Sequence, residues 1–564
     1  MTDIFRKEIL KALSAASGKD IDESIIETPP NPELGDYAFP CFSLAKELKK
    51  SPIMIAKELS EKIKPNKYIS SAVATGPYVN FFVVKEELSK KVLKKIFEGK
   101  KEYGSHKKKD NTILVESPGP NTNKPLHLGH VRNMVLGNAL QNIFDFLGNK
   151  TVRIDMVNDR GVHICKSMLA YKKFGHNKEP DKKTDHFVGD YYVRYDTESK
   201  KNPELEKEIQ EMLVAWENND HETRKLWKKM NDWVYKGFET TYKRYGVKMD
   251  RPYYESDHYM KGKDIVVDGV ETGLFKKDDR ENVYYSDEEI EKKIVLRADG
   301  TSIYITQDIV LGKIRYDDWH MNKMIYIVAN EQIHHFKVLF KIFEKLGYPF
   351  AKNCYHLAYG MIYLPEGKMK SREGTVVDAD NLADDMHNAA KEEIVKRHPD
   401  LSKKETDERA EAIGMGAIKF YILSYDPMKD FVFNPKESIS FDGETGPYVQ
   451  YAHARAASIL KKYSHKVAEE INFSYLSTDE EKKILRLLEE FPAVIEKSAE
   501  EYRPSMVTRH LLDLSQAFNE YYHRHKIIQE DKELEKARVL LVYSVKQVLE
   551  IGLKLLGIDA PDVM

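Results

Sequence analysis

Cysteine is scarce in this chain: there are 3 in 564 residues, Cys41, Cys165 and Cys354, each far from the others in sequence. Isolated cysteines make no disulfide framework and no CxxC or Cys/His zinc pattern, so no zinc and a reducing, cytoplasmic setting are expected. No leader pattern opens the sequence and no long apolar run interrupts it, so neither export nor a membrane span is expected. Charge of one sign is not in surplus, with 89 Lys+Arg against 91 Asp+Glu and a formal net charge of -2. That balance excludes a general polycation but leaves room for local basic surfaces. No solenoid-type repeat is present, and the length suggests about three to five domains.

Hydrophobic periodicity divides the chain. Residues 1 to about 105 alternate a helical pattern (53–63) with a strand-like run (79–84) and read as a small α/β domain. A basic run, Lys107 to Lys109, reads as a solvated linker. From 110 to about 385, strand-like runs at 112–115, 152–157, 294–296, 303–305 and 325–328 alternate with helical stretches. Such alternation predicts a doubly wound parallel sheet with ligands at the strand C-termini. The highly charged segment from about 165 to 290, with Trp216, Trp227 and Trp233, reads as a mostly helical insertion. Residues 386–440 read as a charged helical connector. In 441–564, Leu485, Leu488 and Phe491, then Val507, Leu511, Leu514 and Phe518, then Leu541, Val545, Val548 and Leu549 recur at helical spacing. That pattern predicts an all-α bundle.

Two loops carry the chemistry. Glu116 to Arg132 reads ESPGPNTNKPLHLGHVR, between a strand-like run and a helical pattern with Leu136, Leu140, Ile143, Phe144 and Leu147 on one face. His127 and His130 are thereby delivered to a helix N-terminus, where free N–H donors and the dipole favour phosphate. Gly129 between them lets a nucleotide approach the backbone. Farther on, GKMKSREGTVV (residues 367–377) forms a basic, glycine-bounded loop. Cations held there suit the charge that builds on a leaving pyrophosphate.

The two loops resemble the HIGH and KMSKS signatures of class I aminoacyl-tRNA synthetases. The whole chain resembles the arginyl-tRNA synthetase family, through NPELGDYAF (31–39), TGPYVNFF (75–82), NDRGVH (158–163), GDYYVRY (189–195), IYITQD (303–308), ANEQIHHF (329–336), TGPYVQYAHAR (445–455) and LLGIDAPDVM (555–564). The resemblance implies that arginine is activated with ATP to arginyl-adenylate and passed to the terminal ribose of tRNA(Arg). It further implies an N-terminal module for the tRNA corner, a C-terminal anticodon-binding bundle, a monomer, and activation that depends on tRNA. Magnesium would accompany ATP as part of the substrate, with no bound prosthetic group.

Residue by residue, the resemblance puts His127, Gly129 and His130 on ATP, Gly360 and Met361 on the adenine, and Lys368, Met369 and Lys370 over the phosphates. The second lysine of KMSKS is absent: Ser371 stands in its place, followed by Arg372. Lys370, Arg372 or Lys124, three residues before His127, is expected to supply the missing charge. A guanidinium, planar and permanently charged, calls for carboxylates. Glu116 and Asp308 are the expected partners, with Tyr304 packing on the guanidinium and Asn121 and Gln332 holding the α-amino and carboxylate end. For tRNA, Tyr448, Gln450, Tyr451, His453 and Arg455 offer aromatic and hydrogen-bonding groups, or simply a packed helix face; Tyr522 and Met564 are expected to flank the anticodon loop. Rival readings are a class I enzyme of another specificity and a non-catalytic tRNA-binding paralogue. A glutamyl-type pocket would offer a cation in place of Glu116 and Asp308, and a dead paralogue would not need His127, Gly129 and His130.

Overall fold

The computed structural model describes residues 4–29, 32–298, 303–363 and 377–564. They form two compact units. The larger comprises Gly104–Arg455, Phe491–Ser515 and Leu549–Met564; the smaller comprises Met1–Tyr103, Ala456–Glu490 and Gln516–Val548.

At the centre of the larger unit is a five-stranded, wholly parallel sheet. Its strands are β1 (Thr112–Glu116), β2 (Lys150–Val157), β3 (Arg251–Tyr254), β4 (Lys323–Ala329) and β5 (Cys354–Tyr359), in the order β5-β4-β1-β2-β3. Ile113, Leu114 and Val115 are all buried, an unbroken apolar run as expected where helices cover both faces of a sheet. The strand order reverses between β1 and β4. The crevice at their C-terminal ends is therefore the topological switch point where doubly wound folds hold ligands. It receives the loop from Glu116 to the helix Leu128–Phe146, and the segment Asn330–Gln332 after β4.

Three local expectations change. Residues 303–305 are not a strand: Tyr304 opens the helix Tyr304–Trp319, in which Ile305 and Ile309 are buried four residues apart. Too short a run separates period two from period 3.6 poorly. Residues 294–296 are a strand, but in a separate antiparallel sheet of Lys276–Lys277, Val283–Tyr285 and Lys293–Leu296. The segment expected to be a helical insertion does hold the helices Val162–Phe174, Thr184–Ser199, Glu204–Glu217 and His221–Tyr245, yet it also supplies β3. The sequence RPYY hides that strand, and its proline is tolerated because β3 is a sheet edge.

The helices Ala379–Arg397 and Lys403–Leu423 follow as a hairpin, the second opened by a Ser402–Glu405 capping box. In the smaller unit, Tyr78–Val83 lies between Tyr37–Pro40 and Ile69–Thr75 in an antiparallel sheet, with the helix Pro52–Lys62 where periodicity places it. All eleven apolar residues picked out by spacing between Leu485 and Leu549 are buried. Among the described residues no helix is long and apolar enough to cross a membrane.

Candidate active site

The helix Leu128–Phe146 begins at His127, whose extended backbone and side chain form its N-cap. The Gly129 N–H donates to His127 Nδ1 at 3.2 Å, and the His127 N–H donates to His130 Nδ1 at 3.1 Å. Both Nδ1 atoms are acceptors, so in each neutral ring the proton sits on Nε2. Burial holds the His127 pKa down to about 4, with Lys124 adding repulsion; burial, His127 and Lys124 push His130 well below the usual value. The rings lie 3.9 Å apart, centroid to centroid. The capping pattern thus fixes two neutral Nε2–H donors at the positive end of a helix.

The loop is held from below. Asp155 on β2 is buried and accepts the Gly119 N–H at 2.7 Å. Arg153 is fully buried and donates to Ser117 Oγ at 2.9 Å; a side chain at Gly137 would collide with its guanidinium. Asn133 ties the Ile327 carbonyl of β4 to the signature helix at 2.7 Å. A side chain at Gly189 would run into Pro125, so the GDYY glycine lets an insertion helix close on the loop. Lys124 is half-buried, and burial lowers its pKa.

Gly360 and Met361 lie just after β5. Their backbone is already engaged: Gly360 N–H donates to Pro427 O at 2.9 Å, and Met361 N–H to Asp430 Oδ1 at 2.6 Å. Arg132, buried two residues after His130, donates to the carbonyls of Gly360 at 2.5 Å, Pro427 at 2.9 Å and Lys429 at 2.8 Å. The expected adenine contact through these backbone groups therefore has competitors in Arg132 and Asp430. Lys368, Met369, Lys370 and Arg372 lie outside the described residues.

The carboxylates expected to face a guanidinium are deployed unequally. Glu116 Oε2 lies 2.5 Å from Arg315 on the Tyr304–Trp319 helix, so Glu116 already holds a guanidinium, one belonging to the chain itself. Asp308 does not follow a strand, as its sequence context suggested; it stands on that helix, half-buried, 2.7 Å from His335. Tyr304 is 74% exposed at the start of the same helix, and Asn121 and Gln332 are also exposed. Sequence reading passed over Glu255, because a lone acid carries no motif. It is buried, and burial raises its pKa to about 7 against the pull of Arg160, 3.6 Å away, and a hydrogen bond from Gln307. Asp308 adds to the rise, and Glu255 acts on Tyr304 in turn. Asp159, two residues after β2, accepts the Ser256 N–H at 2.9 Å beside Glu255.

The expected tRNA residues also separate. Gln450 and His453 are 0% exposed and hold the chain's last residues: Gln450 donates to Asp559 O at 2.8 Å, and His453 Nδ1 lies 3.0 Å from Pro561 O. Those two form a packed helix face. Tyr451 is 36% exposed with Arg455 stacked 4.8 Å over its ring, while Tyr448 is half-buried. Met564 packs against Ala390, Ile394, Ala410 and Ile413. In the smaller unit Tyr522 is 37% exposed, beside Tyr521, which is buried and donates to Glu481 at 3.0 Å.

Known proteins resemble this chain over nearly its whole length. Residues 92–435 match the family described as tRNA synthetases class I (R), catalytic domain; residues 3–83 match the arginyl tRNA synthetase N terminal domain, and 449–564 the DALR anticodon binding domain. An arginine–tRNA ligase of Treponema denticola is 44% identical over 96% of this chain and 94% of its own. One of Bacteroides thetaiotaomicron is 40% identical over 99% and 98%. The solved Thermus thermophilus arginyl-tRNA synthetase superposes with a TM-score of 0.85 at 26% identity, covering 99% of this chain and all of that one. With its two-histidine helix cap at the switch point of a parallel sheet, and these matches over nearly its whole length, the chain belongs to the arginyl-tRNA synthetase family of class I.

Proposed function

We propose that this protein is an arginine–tRNA ligase that activates arginine with ATP and transfers it to the terminal ribose of tRNA(Arg). The observation that carries the reading is the pair of neutral, Nε2-protonated imidazoles at the N-terminus of the signature helix. No enzyme nucleophile is needed. The arginine carboxylate attacks the α-phosphate, and His127 and His130 donate to phosphate oxygens as charge develops on them. Preorganised donors at a low-dielectric site stabilise that charge without reorganising. Gly129 lies against the nucleotide. Lys124, close enough to depress both imidazoles, brings its ammonium to the phosphates in place of the missing KMSKS lysine, with Lys368, Lys370 and Arg372 of the second signature joining it. Magnesium enters with ATP as the substrate complex.

Asp308 and Glu255 read the substrate guanidinium and Tyr304 covers it, while Asn121 and Gln332 hold the α-amino and carboxylate end. Glu116, occupied by Arg315, acts from behind by fixing the helix that carries Tyr304 and Asp308. Tyr448, Tyr451, Arg455 and Met564 of the larger unit contact tRNA, and so, in the smaller unit, does Tyr522. We divide the protein into a tRNA-corner module (1–105), the catalytic region (110–385), a connector (386–440) and an anticodon-binding bundle (441–564), working as a monomer. The test is to incubate the protein with ATP, total tRNA and each amino acid in turn. Arginine alone should be charged; charging of another amino acid, or of none, overturns the reading. Arginine-dependent pyrophosphate exchange should require tRNA, and equal rates without tRNA would remove that part.

A further inference from the structure

A cluster of charged groups outside the substrate crevice bears on the position of His127. At its centre is Lys183, at the start of the helix Thr184–Ser199. Its ammonium donates to both oxygens of the buried Asp185, at 2.8 and 2.7 Å, and to Thr241 Oγ1 at 2.8 Å. It also lies 2.9 Å from Asp380. His186 Nε2 is 3.1 Å from Asp380 and 3.4 Å from Asp378. The ligand atoms of Asp185, His186 and Asp380 fall within 4.8 Å of one another, a spacing that suits a metal ion, but the cation among them is the lysine ammonium. Although burial pushes the Asp380 carboxyl up, hydrogen bonds from His186, Lys183 and Thr241 hold its pKa to about 2.

Asp378 and Asp380 belong to a segment that grips the signature loop. Leu128 N–H donates to Val377 O, and Ala379 N–H to Leu126 O, both at 2.9 Å, so residues 377–379 pair antiparallel with 126–128 and His127 faces Asp378. Asp378 caps the helix Ala379–Arg397 by accepting the N–H groups of Asp380 and Asn381. Tyr245 fixes the Ala379 carbonyl at 2.7 Å, and Arg244 reaches the Asp380 carbonyl at 3.4 Å and Asp384 at 2.5 Å. A continuous path thus runs from Lys183 and His186, through Asp378 and Asp380, to the backbone on both sides of His127.

We propose that Lys183 and His186 are positioning residues: by clamping Asp378 and Asp380, they hold the 377–379 segment against the signature loop and so set the aim of the His127 imidazole. The proposal rests on His127 acting on ATP phosphates. Neither Lys183 nor His186 touches substrate. A catalytic donor displaced by even a fraction of a bond length loses transition-state contact while ground-state binding persists. Losing the clamp should therefore lower the activation rate and leave substrate affinities unchanged.

The test compares His186→Leu, His186→Gln and Lys183→Met with the wild type in arginine-dependent pyrophosphate exchange with tRNA present. Glutamine can place an amide donor where Nε2 stands, so His186→Gln should stay within about two-fold of wild type. His186→Leu and Lys183→Met should lose about ten-fold or more in kcat, with KM for arginine and for ATP within about two-fold, a partial version of the loss of one transition-state donor. Should Lys183→Met fail to fold, the two His186 variants decide alone. A His186→Leu enzyme with wild-type kcat, equal losses in the Leu and Gln variants, or a loss residing in KM overturns the proposal. Failure of the wild type to activate arginine would instead overturn the function proposed above.

Discussion

The carboxylate of Glu116 and the guanidinium of Arg315 meet at 2.5 Å in a place almost closed to solvent. Glu116 ends β1, and Arg315 lies on the helix that presents Tyr304 and Asp308, so the pair joins the sheet to one wall of the crevice. Burial pushes the Glu116 carboxyl up while Arg315 pulls it down, and the net shift is upward. Burial likewise disfavours the Arg315 charge, yet Glu116 raises the Arg315 pKa, so each charge depends on the other.

Glu116→Gln should destabilise the fold more than it changes arginine recognition. Removing one member of a buried pair strands the other charge, at about 3–5 kcal/mol. Denaturation with urea should show that loss. Glu116→Gln combined with Arg315→Met should recover a large part of it, because no uncompensated charge remains. A stable single variant with a greatly raised KM for arginine would return Glu116 to the substrate site.

Arginine use should depend on pH through Glu255. Its pKa of about 7 means that the carboxylate fraction of the empty enzyme grows as pH rises through neutrality. KM for arginine should fall between about pH 6 and 8, and Glu255→Gln should both raise KM and flatten its dependence, since the normal carboxyl range lies far lower. Asp308→Asn should raise KM as well, with KM for ATP unchanged. Citrulline, neutral but isosteric, should be a very poor substrate.

His130→Ala should cost about 10²–10³-fold in activation, the usual loss for a transition-state donor. Lys124→Ala should lose a comparable factor if its ammonium serves the phosphates; wild-type kinetics for Lys124→Ala would refute that role. The imidazoles also set a sign for stability. His127 is held near 4 in the fold against 6.5 when exposed, so an unfolded chain takes up the proton first. Its contribution is complete above the unfolded value and is lost as pH falls from 6.5 towards 4. Acid unfolding of His127→Asn should be less steep across that window.

Deleting Asp562 to Met564 should raise KM for tRNA and leave the arginine and ATP constants unchanged at saturating tRNA. Gln450 and His453 hold Asp559 and Pro561, so the end of the chain is docked rather than frayed. Tyr522→Ala should also raise KM for tRNA, since one base–aromatic stack is worth about 1–3 kcal/mol. Unaltered tRNA kinetics with a lowered melting temperature would make Tyr522 a packing residue.

Several local patterns of this chain were decided by its sequence alone. The helix N-terminus that receives His127 and His130, the apolar run of β1 and the helical spacing between Leu485 and Leu549 all depend on neighbours within a turn or two, and each appears as read. Tertiary structure alone decided which charges meet. Glu116 and Arg315 are paired only because the Tyr304–Trp319 helix brings Arg315 to the end of β1. Gln450 and His453 turn inward only because the chain's last residues return to them, and Asp378 reaches His127 only through antiparallel pairing. Likewise β3 is a strand because β2 offers it an edge, which RPYY does not announce. Periodicity reports how each segment meets solvent, but the partner of a buried charge is set by long-range closure of the chain, where no local pattern can record it.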